Sequence, residues 1–268
     1  MRITRTEYLN KLIAFKDKQL IKVVTGIRRC GKSVLMEMYQ DWLPQNGIEQ
    51  DQIIAINFED MDFEELTDYR KLYAYLKDRL VPEKMTYIFL DEIQHVTDFP
   101  KVIDSLYIKK NVDIYVTGSN AYMLSSEIAT LISGRYVQIE MLPLSFKEYM
   151  QSTGSMEDRG IKYTEYLENS SFPYALELKG HPNEIRDYLD GIFNTIVVKD
   201  ILTRRKILDP LMLKSDLAMM VHRRGVRTNF STSAVNVCMP FVPPSGGNSA
   251  DDASIMGGCL IIFRVLLS

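Results

Sequence analysis

The chain has 268 residues, of which 46% are apolar and 25% charged, and its net charge is −3. This length allows one large domain or a core domain with a smaller appendage, and the apolar share suffices for a buried core. The slightly acidic balance gives no basic footprint, so composition alone makes no case for nucleic acid. The three cysteines are widely spaced, which argues against a disulfide framework and a metal cluster and fits a reducing compartment.

The N-terminal segment has no apolar signal core, and the most apolar stretch, residues 255–267, is too short to cross a bilayer. We therefore expect a cytoplasmic protein without a membrane segment.

The first 141 residues alternate between short apolar runs and segments of helical periodicity. Each run is nearly continuous in apolar residues, a pattern typical of a parallel sheet covered on both faces. The strands are predicted at 20–25, 52–60, 85–92, 112–120 and 136–141, and the helices at 3–20, 32–43, 66–80 and 100–109. We therefore predict an α/β core domain over residues 1–142.

Beyond the core the pattern changes twice. Helical segments dominate residues 143–214 and predict a small helical subdomain. Residues 215–268 then contain no Lys, Glu, Gln or Tyr, and "PFVPPSGGNSADDAS" is rich in Pro, Gly and Ser. Two interpretations of this irregular tail are open: a divergent native segment, or a segment read out of frame after a single-base insertion or deletion, with loss of an effector domain.

The stretch "VVTGIRRCGKSVLM" fits the phosphate-loop (Walker A) pattern G-x-x-x-x-G-K-[ST], between a predicted strand and a predicted helix. Its backbone N–H groups and the start of the helix are suited to bind phosphate. Lys32 is expected to reach the β- and γ-phosphates and Ser33 to ligate Mg²⁺. Residues 27–30 are expected to project outward or sideways, with Cys30 a tolerated small residue rather than a reactive thiol. The predicted nucleotide-binding residues are Gly26, Ile27, Arg28, Arg29, Cys30, Gly31, Lys32, Ser33 and Val34.

Two carboxylates end the third predicted strand, "YIFLDE". Beside a phosphate loop, Asp91 is expected to hold Mg²⁺ and Glu92 to act as the general base (Walker B). The fourth strand ends in "VTGSN"; if it lies between the first and third strands, Asn120 or Ser119 is placed to orient water or sense the γ-phosphate. A simple turn is the alternative there. Arg135 is a candidate for transition-state charge, in cis or across a subunit interface, or a structural ion pair.

These residues resemble a known family. "GIRRCGKSVLM", "IFLDEIQ", "YVTGSNAYMLSSEIATLISGR", "LPLSFKEY" and "YLDGIFNTIVVKDILTRRKI" are similar to the bacterial and archaeal AAA-type ATPases in which an AAA_14 core precedes a DUF4143 domain. The resemblance covers about residues 1–214. It implies an additional-strand P-loop NTPase core of sheet order 5-1-4-3-2, with ATP as the nucleotide. Family members continue with a winged-helix-like segment and a nuclease-like domain, which are not recognisable after Ser215, so a nucleic-acid partner is left open.

The sequence therefore predicts an ATPase that hydrolyses Mg-ATP to drive a conformational change, with turnover dependent on an oligomer or a protein partner. The alternative is a nucleotide-dependent switch or scaffold with negligible turnover. A small-molecule kinase fits less well, since no acceptor-binding lid motif is present.

Overall fold

A computed structural model describes residues 2–119, 134–154 and 159–195. These residues divide into two compact units, with the division between Leu142 and Pro143. Residues 196–268 lie outside the described part, so the predicted tail at 215–268 stays a prediction.

Five parallel strands form the centre of the first unit. Their order is β2-β3-β4-β1-β5, which confirms the predicted order 5-1-4-3-2. The strands are β1 (Ile21–Gly26), β2 (Ile53–Asn57), β3 (Thr86–Asp91), β4 (Val112–Ser119) and β5 (Tyr136–Met141). The interior strands β1 and β3 are buried along their whole length, as their continuous apolar runs require, whereas the edge strand β2 alternates.

Helices cover both faces of this sheet. They are α1 (Thr6–Ala14), α2 (Lys32–Gln45), α3 (Tyr69–Asp78) and α4 (Phe99–Tyr107). Residues of α3 and α4 share one apolar core with the sheet, and residues of α1 and α2 share the other. The predicted α/β fold is therefore confirmed. The helix predicted over 3–20 is too long: α1 ends at Ala14, and Asp17 has a left-handed φ of 58°.

One buried ion pair interrupts the apolar core on the α2 side. Lys22 of β1 pairs with Asp113 of β4, and both side chains are almost fully buried. Asp113 also accepts hydrogen bonds from the backbone amide of Asp17 at 2.8 Å and from the hydroxyl of Tyr115 at 2.9 Å. These partners offset part of the cost of removing the charges from water. The pair lies at the amino ends of its two strands.

The described residues of the second unit are mainly helical: α5 (Phe146–Thr153), α6 (Arg159–Asn169) and α7 (Pro182–Thr195). Helix α5 begins with a capping box, in which Ser145 and Glu148 each accept the other's backbone amide. Aromatic rings from α5 and α6 pack together, with Tyr149 and Tyr166 centred 5.3 Å apart. No helix in the described ranges of the chain is long and apolar enough to cross a bilayer.

Candidate functional site

The loop between β1 and α2 requires both of its motif glycines, for different reasons. A Cβ at Gly26 would lie 2.3 Å from the carbonyl oxygen of Met141 on β5, so no side chain fits there. Gly31 has a φ of 99°, a left-handed conformation that favours glycine. Arg29 is also left-handed, with φ 66°. Such alternation of backbone conformation turns successive N–H groups toward one side, which is the geometry of an anion-binding nest.

The first turn of helix α2 carries no group that neutralises the positive N-terminal end of the helix. Gly31 is the N-cap and has no side chain with which to cap the helix, and the first turn contains no acidic residue. Helix N-termini carry unsatisfied N–H groups and about half a positive charge. An anion at this place is therefore stabilised by the backbone itself.

Cys30 departs from the expectation that residues 27–30 project outward or sideways. Its side chain is 0% exposed and belongs to the apolar core between the sheet and α2. The small thiol fits there because it lies beside Gly26, where a Cβ would come within 2.9 Å of its sulfur. Burial raises the pKa of the Cys30 thiol, although the charges of Lys32 and Arg5 act in the opposite direction. This is the environment of an unreactive thiol.

Lys32 connects this loop to the acidic end of β3. Its ammonium nitrogen lies 3.4 Å from the carbonyl oxygen of Gly26 and 3.4 Å from Oε1 of Glu92. The Lys32 and Glu92 side chains are only 5% and 12% exposed. Asp91 is the last residue of β3, and Glu92 follows in a left-handed conformation with φ 53°. A non-glycine residue held there costs roughly 1 kcal/mol or more.

Thr117 of β4 is a site residue that the sequence analysis did not single out. Its hydroxyl donates a hydrogen bond to the Asp91 carboxylate and accepts one from the backbone amide of Glu92 at 2.9 Å. Strand β4 lies between β1 and β3, which is why this side chain reaches both acids. A hydroxyl near the carboxyl end of the predicted fourth strand was the available signal, in the same "VTGSN" segment.

Gln94 is a second residue that was not anticipated. Its amide nitrogen donates to Oε2 of Glu92, and its buried carbonyl oxygen has no hydrogen-bond partner within the described part of the chain. A buried acceptor of this kind is costly to leave unsatisfied, so a water beside Glu92 suits the site.

The remaining predicted site residues lie elsewhere or outside the description. Asn120 is outside the described residues, and Ser119 pairs through its backbone with Gly26. Arg135 precedes β5 at the amino ends of the strands, and the phosphate loop follows their carboxyl ends. Its guanidinium pairs with Asp104 at 3.1 Å and lies over the ring of Tyr107. The structure does not bring Arg135 to its own phosphate loop, which favours the structural ion pair over action in cis.

The oxygen ligands at the strand ends fit magnesium. Ser33 is the second residue of α2, and the Asp91 carboxylate lies at the end of the strand two places from β1. Among the described residues no three His, Cys, Asp or Glu side chains cluster as a metal site.

A family model described as an AAA domain matches residues 18–150. The match includes the phosphate loop, both acids, Thr117 and Gln94. Residues 18–150 are an AAA domain. The chain therefore carries the fold of a AAA-type P-loop ATPase, in agreement with its sheet order and with the phosphate loop after β1.

Two relatives extend beyond the AAA domain. An uncharacterized protein of Haemophilus influenzae is 34% identical over 266 residues, covering 98% of this chain and 66% of its own length. Uncharacterized protein MJ1544 of Methanocaldococcus jannaschii is 32% identical over 206 residues, covering 70% of this chain and 43% of its own length. The chain thus spans two thirds or less of these relatives. The first alignment extends past residue 214 into the predicted tail, whose reading frame stays a prediction.

Solved structures similar to this chain include a Walker-type ATPase of Pyrococcus abyssi, with 15% identity, a TM-score of 0.47 and 76% of each chain covered. The AMPPCP-bound DnaA of Aquifex aeolicus is similar at 16% identity and a TM-score of 0.45, over 81% of this chain and 78% of its own.

Proposed function

We propose that this AAA domain binds and hydrolyses Mg-ATP. The observation that carries the proposal is the position of Lys32, within 3.4 Å of both the loop carbonyl of Gly26 and the carboxylate of Glu92. One cation thereby joins the loop suited to phosphate with the acid suited to activate water. Arg29 in the loop and Glu92 in the pair both have a left-handed backbone, an uncommon conformation for non-glycine residues that clusters at binding sites.

Phosphate binding is assigned to the backbone of residues 26–33 and to the Lys32 ammonium group. The uncapped start of α2 supports this assignment, because it leaves N–H groups and positive potential for an anion. Ser33 and Asp91 would hold Mg²⁺, which when bound neutralises phosphate charge. Thr117 keeps the Asp91 carboxylate in place by donating a hydrogen bond to it.

Glu92 is assigned as the general base. It accepts a proton from water as the water oxygen bonds to the γ-phosphorus and the bond to the β–γ bridging oxygen breaks, which yields ADP and phosphate. Gln94 and Thr117 hold this residue from two sides: the amide of Gln94 binds its carboxylate, and the hydroxyl of Thr117 binds its backbone N–H. Among the described residues the buried carbonyl oxygen of Gln94 has no hydrogen-bond partner, so a water that enters beside Glu92 would find an acceptor there.

The second candidate is a nucleotide-dependent switch with negligible turnover. One observation favours it: the Glu92 carboxylate is paired with Lys32 and is therefore not available as a base. Hydrolysis requires this pair to separate when the phosphates bind Lys32. A protein partner or a second copy of the chain that stabilises the separated state would then control turnover.

Steady-state phosphate release separates the two candidates. The assay is run with Mg-ATP at several protein concentrations, with Lys101→Ala as a control. Lys101 is exposed; its ammonium group forms an ion pair of 2.7 Å with Asp98 and lies 5.1 Å from the centre of the Tyr69 ring. Turnover that exceeds the Lys32→Ala background supports the ATPase, and turnover per molecule that rises with concentration supports an oligomer. Tight binding of Mg-ATP without release above background would establish the switch instead.

A further inference from the structure

Arg5 places a buried cation beneath the phosphate loop. It immediately precedes α1 and is 3% exposed. Its guanidinium donates to the carbonyl oxygen of Cys30 at 3.2 Å and to that of Leu142 at 2.7 Å. The same group lies 4.8 Å from the centre of the Tyr8 ring. Arg5 therefore connects the N-terminal segment to the loop and to the residue after β5.

Tyr8 completes this arrangement on the β5 side. Its hydroxyl accepts a hydrogen bond from the backbone amide of Leu142 at 3.2 Å. Leu142 is thus held through both of its backbone polar groups, by Arg5 and by Tyr8. Since Leu142 ends the first unit, the anchor under the loop is fixed to the sheet rather than to a free segment.

The hydrogen bond to Cys30 has a consequence for the next residue. In a trans peptide the C=O of one residue and the N–H of the following residue point in opposite directions. Arg5 binds the carbonyl of the Cys30–Gly31 peptide from the protein side. The N–H of Gly31 is therefore directed away from Arg5.

Without a hydrogen bond to its carbonyl oxygen, the Cys30–Gly31 peptide plane would be free to rotate. Gly31 is the left-handed N-cap of α2, and a glycine allows the adjoining peptide plane to rotate at little energetic cost. A rotated plane would direct a carbonyl oxygen instead of an N–H toward an incoming anion. An arginine suits the task because its planar fork donates from separate nitrogens to two carbonyl oxygens, as NH1 and NH2 do here.

We propose that Arg5 is a positioning residue for phosphate binding, which holds the Cys30–Gly31 peptide in the orientation that offers the Gly31 N–H to the nucleotide. The inference rests on the proposed binding of ATP and assigns to the N-terminal segment a part in it. Arg5 contacts the loop from beneath and does not take part in proton transfer at Glu92. Its loss therefore weakens nucleotide binding more than it slows the chemical step.

The test compares Arg5→Met and Arg5→Lys with the matched control Arg2→Met. Arg2 belongs to the same segment, but it is exposed and pairs with Asp41 on the surface of α2. Dissociation constants for Mg-ATP and Mg-ADP are measured by calorimetric titration, and KM and kcat by phosphate release. We expect Arg5→Met to raise both dissociation constants by about tenfold or more, equivalent to about 1.4 kcal/mol. Its kcat at saturating ATP should stay within about threefold of the parent value.

Arg5→Lys keeps the charge but not the fork, so its dissociation constants should lie between those of the parent and Arg5→Met. Arg2→Met should match the parent. A folded Arg5→Met protein with parental affinities overturns the inference and leaves the proposed function standing. If Arg5→Met does not fold, Arg5→Lys decides, and unchanged affinity in that variant has the same meaning. A parent protein that binds neither nucleotide overturns the proposed function and this inference together.

Discussion

The Lys32 ammonium group lies 3.4 Å from the carboxylate of Glu92, although 59 residues lie between these two in the chain. The pair brings the proposed phosphate-binding cation and the proposed general base to the same point at the carboxyl ends of β1 and β3. The predictions that follow separate the contributions of these and neighbouring groups.

Lys32→Ala should remove most of the affinity for Mg-ATP, at least tenfold, because a buried charge-assisted contact to phosphate is lost. The fold should persist, since Lys32 begins α2 at the edge of the core. Calorimetric titration measures the affinity, and circular dichroism checks the fold. The exposed Lys101→Ala is the matched control. Parental affinity in a folded Lys32→Ala protein would contradict the phosphate-loop assignment.

Glu92→Gln should preserve nucleotide binding and lower turnover by on the order of 100-fold or more, because the amide has a similar shape but cannot accept the proton. Single-turnover phosphate release measures the chemical step. Glu49→Gln is a suitable control, since Glu49 is exposed and pairs with Lys84 at 2.6 Å. Equal rates for Glu92→Gln and the parent would assign the base to another residue or favour the switch.

Thr117→Val should lower kcat by about tenfold while changing the dissociation constant of Mg-ATP little. The substitution keeps the shape but leaves the amide of Glu92 without its acceptor and the Asp91 carboxylate without a donor, at a cost of about 1–3 kcal/mol. The comparison is with the exposed Thr97→Val, because the Thr97 hydroxyl donates to the carbonyl oxygen of Thr67 at 3.3 Å. If the two valine variants have equal kcat values, Thr117 has no part in the chemistry.

Lys22→Met should lower the free energy of unfolding by about 3–5 kcal/mol, since it leaves the buried Asp113 carboxylate without its counter-charge. Removing both partners should cost less than the sum of the two single changes, because neither charge is then left alone. Urea unfolding measures each variant. Lys101→Met removes an exposed ion pair with Asp98 and a contact with the Tyr69 ring, and it should cost about 1 kcal/mol or less. An equally small loss for Lys22→Met would show that Asp113 becomes hydrated or takes up a proton when its counter-charge is removed.

Cys30 should resist alkylation in the folded protein. Burial excludes the reagent, and the raised pKa of the Cys30 thiol lowers the fraction of reactive thiolate near pH 8. Iodoacetamide labelling, quantified on the peptide that contains Cys30, should be at least about tenfold slower in the folded protein than in urea. Equal rates in the two conditions would show that the loop opens readily beside Gly26.

Much of the fold and half of the site could be predicted from the sequence, because local patterns encode them. The glycines and Lys32 form a contiguous motif whose backbone conformation is nearly determined by residue type. Continuous apolar runs predict parallel strands, and parallel strands bring their carboxyl ends together, so the meeting of the loop with Asp91 and Glu92 follows.

The remaining contacts depend on packing that a single sequence does not display. The strand register determines which residue of "VTGSN" faces the acids, and a shift of one residue exchanges the two faces of the strand. The sequence does not display this register, so it does not single out Thr117. A lone arginine before a helix has no signature, and the role of Arg5 depends on a loop 25 residues away. The segment at 15–17 was predicted as helix, but Asp17 turns instead to donate its backbone amide to Asp113.

Strand β1 has polar groups with different partners near its two ends. Near its start, Lys22 is neutralised inside the protein by Asp113; after its end, the N–H groups that follow Gly26 are proposed to bind phosphate. About 13 Å of strand separates Lys22 from Gly26. Selection for heat resistance and selection for catalysis should therefore act on different residues of the same six-residue strand, with little conflict between them.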